Sequence, residues 1–284
     1  MKFLIGTVFV LLASLALMST YVSAEESSDS AVEAPQETLQ DMSDPLAVYT
    51  RVGAGLTNLG VNLKVGIDYD TGKDSTTAMH VLEIKGALGE TLGWGDDDLD
   101  EDVSIDNRDN SIDNLRYRNF VLNKENGRGS QLDVNYVFDE SYIADQSGDI
   151  SYSFLQGFNP VGKLKLYPLI GAGLAFGKDS LEDDGEVDSG YSINGTFLVA
   201  GMFGKYAFNK KFWVNYNPFW ATTLTGSDVY KDNAYGQGND SVLTHEVAVG
   251  YQFSPRMNVR YFGNWNEYNN FSDGIHKVEF NYQL

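Results

Sequence analysis

The chain has no cysteine, only three histidines, and half as many basic residues as acidic ones, 20 against 40, in 284 residues. Without cysteine there is no disulfide and no lipid-modified N-terminal cysteine, so an exported protein of this composition must be stable by other means. Acyl-transfer and lipid-hydrolysing enzymes need a histidine with a serine or carboxylate partner. G-x-S-x-G, H-E-x-x-H and a phosphate-binding loop are all missing. The deficit of lysine and arginine leaves no basic patch to neutralise phosphates, which disfavours nucleic acid as a partner. Beyond the first 24 residues, no run approaches the roughly 18 unbroken apolar residues of a spanning helix.

What is present begins with MKFLIGTVFVLLASLALMSTYVSA (1–24). One lysine, an apolar core and Val22 and Ala24 at −3 and −1 of a cleavage site make a secretory signal peptide. Residues 25–46 (EESSDSAVEAPQETLQDMSDPL) are acidic and poor in large apolar side chains, the composition of a disordered linker. From Ala47 onward, period-two alternation dominates.

Twelve segments carry it: about 47–57, 60–70, 77–92, 114–123, 130–138, 148–158, 163–177, 191–208, 211–224, 242–253, 256–267 and 275–284. In QLDVNYVF, Leu132, Val134, Tyr136 and Phe138 share one face, and Gln131, Asp133 and Asn135 the other. Most segments reach the 9–11 residues that a tilted strand needs to cross a bilayer. A soluble sandwich would alternate too, but the connections here are short and long in turn. FNPVGK, FNKK and FSPR are tight, while 92–113, 177–190 and 225–240 are long. That asymmetry belongs to a transmembrane antiparallel up-and-down β-barrel of about twelve strands over 47–284. The short turn TNLG between the first two segments keeps a ten-strand alternative open. An even count puts both termini on one side. The last segment, HKVEFNYQL, stops mid-strand, as it can if it closes the barrel against the first strand and leaves no edge in lipid.

The C-terminal alternation with an apolar last residue, LYPLIGAGLAFGKD (166–179) before an acidic loop, and the long FLVAGMFGKYAF (197–208) resemble the small outer-membrane β-barrel proteins of Gram-negative bacteria. Most of that family end in Phe, where this chain has Leu284. The resemblance implies a barrel in the cell outer membrane with both termini periplasmic. It also implies partners in outer-membrane lipid and lipopolysaccharide, and in the barrel-assembly machinery through the last strand. It identifies no activity.

The lipid face would hold Val61, Leu63, Val65, Ile67, Leu132, Val134, Tyr136, Leu164, Leu166, Ile170, Leu174, Val247, Val249, Tyr251, Val278, Phe280 and Tyr282, with Trp213 and Trp220 marking two aromatic girdles. The lumen would be lined by Arg51, Lys64, Asp68, Glu83, Lys85, Arg116, Arg118, Asp133, Lys165, Glu246, Arg260 and Glu279. Such charges either pair across a filled interior or line a narrow, porin-like pore for small hydrophilic solutes or ions. The alternative is a non-conducting surface or structural barrel acting through its loops.

The negative charge sits in 25–44, 96–113 and 178–188, which together hold 22 acids and two bases against a net charge of −20. Asp96, Asp98, Asp100 and Asp102 suit a hard cation, but Glu101 and Asn107 stand where an EF-hand needs Gly and Glu. Loosely held Ca²⁺ or Mg²⁺ at these loops is the most that the pattern supports; no cofactor is expected. His80 and His245 alternate onto the apolar face, and His276 near Ser272 and Asp273 is the one cluster with a catalytic look. It matches no nucleophile motif, and no enzyme is expected.

Overall fold

The computed structural model describes residues 39–92 and 110–284. Residues from Leu39 to Leu284 form one compact unit. Its strands are β1 (Arg51–Thr57), β2 (Val61–Tyr69), β3 (Thr76–Ala87), β4 (Asn114–Asn123), β5 (Arg128–Val137), β6 (Ala144–Gln156), β7 (Phe158–Val161), β8 (Leu164–Leu181), β9 (Val187–Ala207), β10 (Phe212–Gly226), β11 (Ser241–Ser254), β12 (Met257–Asn266) and β13 (Ile275–Gln283). The short β7 continues β6 beyond a break at Gly157, because both pair antiparallel with β8. The wall therefore has twelve strands, each bonded to its neighbour in sequence. All twelve segments read from the alternation are strands here. The TNLG turn joins two separate strands, β1 and β2, so the ten-strand alternative fails.

Closure runs through the last strand. Arg51 pairs with Gln283 and Thr57 with Lys277, and Leu284 N–H donates to Thr50 O at 3.0 Å. Both edges of β13 are thus paired, to β1 and to β12, where lipid could offer no partner.

Alternation decides the faces. Leu63, Val65, Ile67, Ile170, Tyr251, Val278 and Phe280 are exposed on the outer wall. Aromatic residues mark its rims, with His80 held between Tyr69 and Tyr117, and His245 and His276 stacked on Tyr216 and Tyr261. Trp213 is not in that girdle. It is 1% exposed and points inward, its Nε1–H donating to Asn215 Oδ1 at 3.1 Å, while Trp220 is exposed. Seven residues is an odd step, so a regular strand puts the two indoles on opposite faces.

Trp213 lies over its cross-strand partner Gly250. A Cβ at Gly250 would stand 2.3 Å from the indole Cε2 and Cζ2. Gly250→Val should therefore destabilise the barrel by about 1–3 kcal/mol, read as an earlier unfolding midpoint in urea. An unchanged midpoint would mean that the indole has room to move.

The barrel has two different ends. Turns at the end that carries the chain terminus are short. At the other end β8 and β9 run 18 and 21 residues and carry the acidic hairpin, and a longer loop holds the helix α1 (Asp228–Asn233). Ser227 caps α1, accepting from Tyr230 N–H at 3.2 Å. Asp183 of the acidic hairpin accepts from Val229 N–H at 2.8 Å, so this acid ties the two loops together as well as facing water. Hydrogen bonds from that helix start hold the Asp183 carboxyl below its ordinary pKa.

Candidate functional site

The interior is built in three layers. At mid-height is a belt of ion pairs. Glu279, 2% exposed, accepts from Lys64 at 3.0 Å and from Lys277 at 2.7 Å. Lys64 also reaches Glu83 at 3.2 Å, Glu83 accepts from Arg118 at 2.8 Å, and Arg116 meets Asp133 at 2.5 Å. The antiparallel register causes this, because it sets Lys64 beside Glu83, Glu83 beside Arg116, and Arg260 beside Glu279. On β1 the inward positions between Arg51 and Thr57 are Gly53 and Gly55, and a Cβ at Gly55 would crowd the Lys277 stem at 3.2 Å. Those glycines leave the long lysine side chains room to converge on Glu279. The belt continues through buried Asn215, Asn217, Asn258 and Asn281; Asn217 donates to Glu246 at 2.7 Å and Arg260 to Asn215 at 3.1 Å.

Toward the loop end the belt opens into a cavity of about 440 Å³. Asn62, Lys85, Arg116, Asn135, Asp133 and Asp149 are among the side chains that line it. Among the described residues Lys85 makes no ion pair, and Asp149 accepts only from Asn135, at 3.2 Å. Tyr230 and Tyr235 of the α1 loop lie close enough to feel the Asp149 charge. Burial first, then that charge, raises Tyr230 to about 12.

The third layer sits at the terminal end, and it is apolar. Met79, Val81, Phe120, Leu155, Tyr167, Leu169 and Phe203 point inward and surround Leu46, which comes from the N-terminal segment. The expected linker therefore ends early. Residues 25–38 lie outside the described part; Leu39, Gln40 and Asp41 are exposed, and from Met42 onward the segment is buried or half-buried against the inner wall. Met42 is 3% exposed, and Leu46 and Tyr49 are buried as well. Asp41 binds Lys205 at 2.7 Å, and Asp44 binds Lys165 at 2.5 Å and accepts from Tyr167 OH at 3.1 Å. Burial alone would raise the Asp41 carboxyl, but the Lys205 and Ser43 hydrogen bonds and the Lys205 charge bring it below its ordinary pKa.

All twelve expected lumen residues thus fall on the inner face, but in different roles. Arg51, Lys64, Glu83, Arg116, Arg118, Asp133, Glu246, Arg260 and Glu279 form the belt; Arg51 stacks on Tyr49 at 5.2 Å from the ring centre. Lys85 belongs to the cavity, Lys165 to the N-terminal segment, and Asp68 to the exposed terminal rim beside Thr50. Sequence reading missed Lys277 and Asp149, although period two from Glu279 and from Ser151 points to both. It also missed Lys205, Asp41 and Asp44, whose pairing has no local signal.

Asp96, Asp98, Asp100 and Asp102 lie outside the described residues. Among the described residues, the neighbours of His276 are aromatic and polar rim side chains. Its Nδ1 bonds Tyr261 OH at 2.8 Å, Phe271 packs edge-on against its ring, and Ser272 Oγ–H donates to Asp273 at 2.9 Å.

No family model and no curated protein matches the chain. Solved structures do match. An outer-membrane channel from Pseudomonas putida F1 aligns at TM-score 0.50 and 9% identity over 86% of this chain and 98% of that one. The NanC porin aligns at 0.49 and 6% over 83% and 100%, and the translocator domain of the autotransporter NalP from Neisseria meningitidis at 0.44 and 11% over 85% and 91%. At such identities the likeness is one of fold. In fold, the chain is a closed, twelve-stranded transmembrane β-barrel of the kind found in Gram-negative outer membranes.

Proposed function

We propose that the protein is a narrow outer-membrane channel for small hydrophilic solutes or ions, closed at its terminal, periplasmic end by its own residues 39–49. The observation that carries this reading is the division of labour inside the barrel. The wall supplies a hydrophilic, charged constriction with a cavity leading to it. The obstruction is a separate segment, held by two ion pairs and a few apolar side chains.

Charge sets the expected preference. The cavity carries Lys85 with Asp113, Asp139 and Asp149. In the belt below it, with Lys165 and Lys205 set aside because the N-terminal segment occupies them, the cations are Arg51, Lys64, Arg116, Arg118, Arg260 and Lys277, and the anions are Glu83, Asp133, Glu246 and Glu279. The constriction is thus cationic by two charges. Exposed loop charges act over a Debye length of about 8 Å at physiological salt, so the acidic hairpin does not reach the belt. Planar-bilayer recording across a salt gradient should show discrete steps with a weak anion preference. Arg116→Ala should move the reversal potential toward cations. A bilayer silent both for the whole protein and for a variant without the segment would sink the channel reading.

A further inference from the structure

Among the described residues, several strand pairs carry short register shifts, and the ladder opens where β6 gives way to β7. From Ala144 opposite Ser180 to Leu155 opposite Leu169, β6 and β8 pair along their length. Pairing then lapses and resumes where Phe158 meets Leu166. Two causes act together. Pro168 of β8 has no N–H to give to the ladder. On the facing strand the chain turns toward β5 instead, with Gly157 N–H donating to Gly127 O at 2.7 Å and the Gln156 amide to Asn126 O at 2.8 Å.

The lapse leaves a groove of about 410 Å³, lined by Arg128, Phe154, Leu155, Pro168, Leu169 and Ile170 among others. Phe154 and Ile170 are 64% and 63% exposed and point outward. Leu155 and Leu169 are buried and belong to the apolar layer inside the barrel. The groove therefore cuts into the wall between the outer face and the interior. Arg128 stands at its terminal-end mouth, exposed, on the outward face of β5. Its guanidinium makes no ion pair among the described residues. The flanking turns add Lys124 and Lys163. A cation at the rim above an apolar slot complements an anionic head joined to an acyl chain.

We propose that this groove is a site for one anionic phospholipid from the leaflet at the terminal end. The phosphate would sit on Arg128, and one chain would run past Phe154 and Ile170 with its flank against Leu155 and Leu169. The proposal rests on the membrane-barrel fold alone and stands whether or not the barrel conducts.

Native mass spectrometry of the detergent-purified full-length mature protein tests it, with equimolar phosphatidylglycerol and phosphatidylcholine of matched chains as probes. Folding of each sample is checked by heat-modifiable gel mobility. One phosphatidylglycerol should be retained, with about tenfold preference over phosphatidylcholine. Arg128→Gln should abolish the preference, whereas Lys210→Gln, a basic residue of another terminal turn, should leave it intact. Ile170→Ser should lower retention of both lipids. Equal retention of the two lipids by the wild type, a preference that survives Arg128→Gln, or a dimer that retains no lipid would each overturn the site. The last result would assign the groove to a second copy of the chain.

Discussion

Deleting Leu39–Leu46 is expected to raise the time-averaged conductance of the barrel by at least about a hundredfold. Met42 and Leu46 are both buried against the interior wall, and fully burying such a side chain stabilises by roughly 1.5–3 kcal/mol each. Even the lower figures sum to about 3 kcal/mol, enough to keep the open state under about 1% of the population. The ion pairs of Asp41 with Lys205 and of Asp44 with Lys165 add to this, modestly where exposed to salt. The chain has no native cysteine, so a reversible lock can be built without interference. Met42 Sδ accepts from the Gln252 amide at 3.3 Å. In a Met42→Cys, Gln252→Cys variant, oxidation should silence the bilayer and reductant should restore conduction. If the oxidised form conducts like the reduced one, the segment is not the gate.

The same contact sets a direction with pH. The Asp41 carboxyl is held below its ordinary pKa when the segment is docked. Docking therefore gains from this group above the ordinary carboxylate value of about 3.9, and the gain is lost as pH falls through the lower, docked value. Spontaneous opening of the wild type should increase in that acidic window, and Asp41→Asn should remove this contribution to the pH response.

Glu279→Gln carries the second large effect, on stability. Glu279 is the shared anion of the belt, bonded by Lys64 through both carboxylate oxygens and by Lys277. Removing one partner of a buried charge cluster costs about 3–5 kcal/mol, because the cations left behind stay out of water unpaired. Lys64 keeps Glu83, so the stranded charge is chiefly Lys277, which retains the Phe262 ring at 4.1 Å. Adding Lys277→Met to Glu279→Gln should recover a substantial part of the loss. Urea unfolding of the two variants decides it. A loss under about 1 kcal/mol for Glu279→Gln would mean that water solvates the belt as it stands.

Most of the architecture was legible in the sequence because a β-strand writes its two faces locally. Period two placed Leu63, Val65 and Ile67 on the outer wall and Lys64 and Glu83 within, without knowledge of any neighbour. The mid-strand end of HKVEFNYQL, with the need to leave no edge in lipid, pointed to closure of the last strand on the first; the register that sets Arg51 beside Gln283 came from the structure. Where expectation failed, the deciding partner was remote. Trp213 is the exception, because its odd spacing from Trp220 is local and already sets the two indoles on opposite faces.

Residues 39–46 fail for a deeper reason. Met42 and Leu46 among acids and polar residues have the composition of a chain that cannot bury enough apolar surface to order itself. By itself that reading is sound. The surface that buries Leu46 comes from five different strands, β3, β4, β6, β8 and β9, Met42 meets Gln252 of β11, and this surface exists only once the barrel has closed. The alternation of side chains thus determined the strands, their faces and the charged character of the interior. Tertiary closure alone decided which charges meet and that the N-terminal segment lies inside, because each depends on contacts between residues with no local pattern in common.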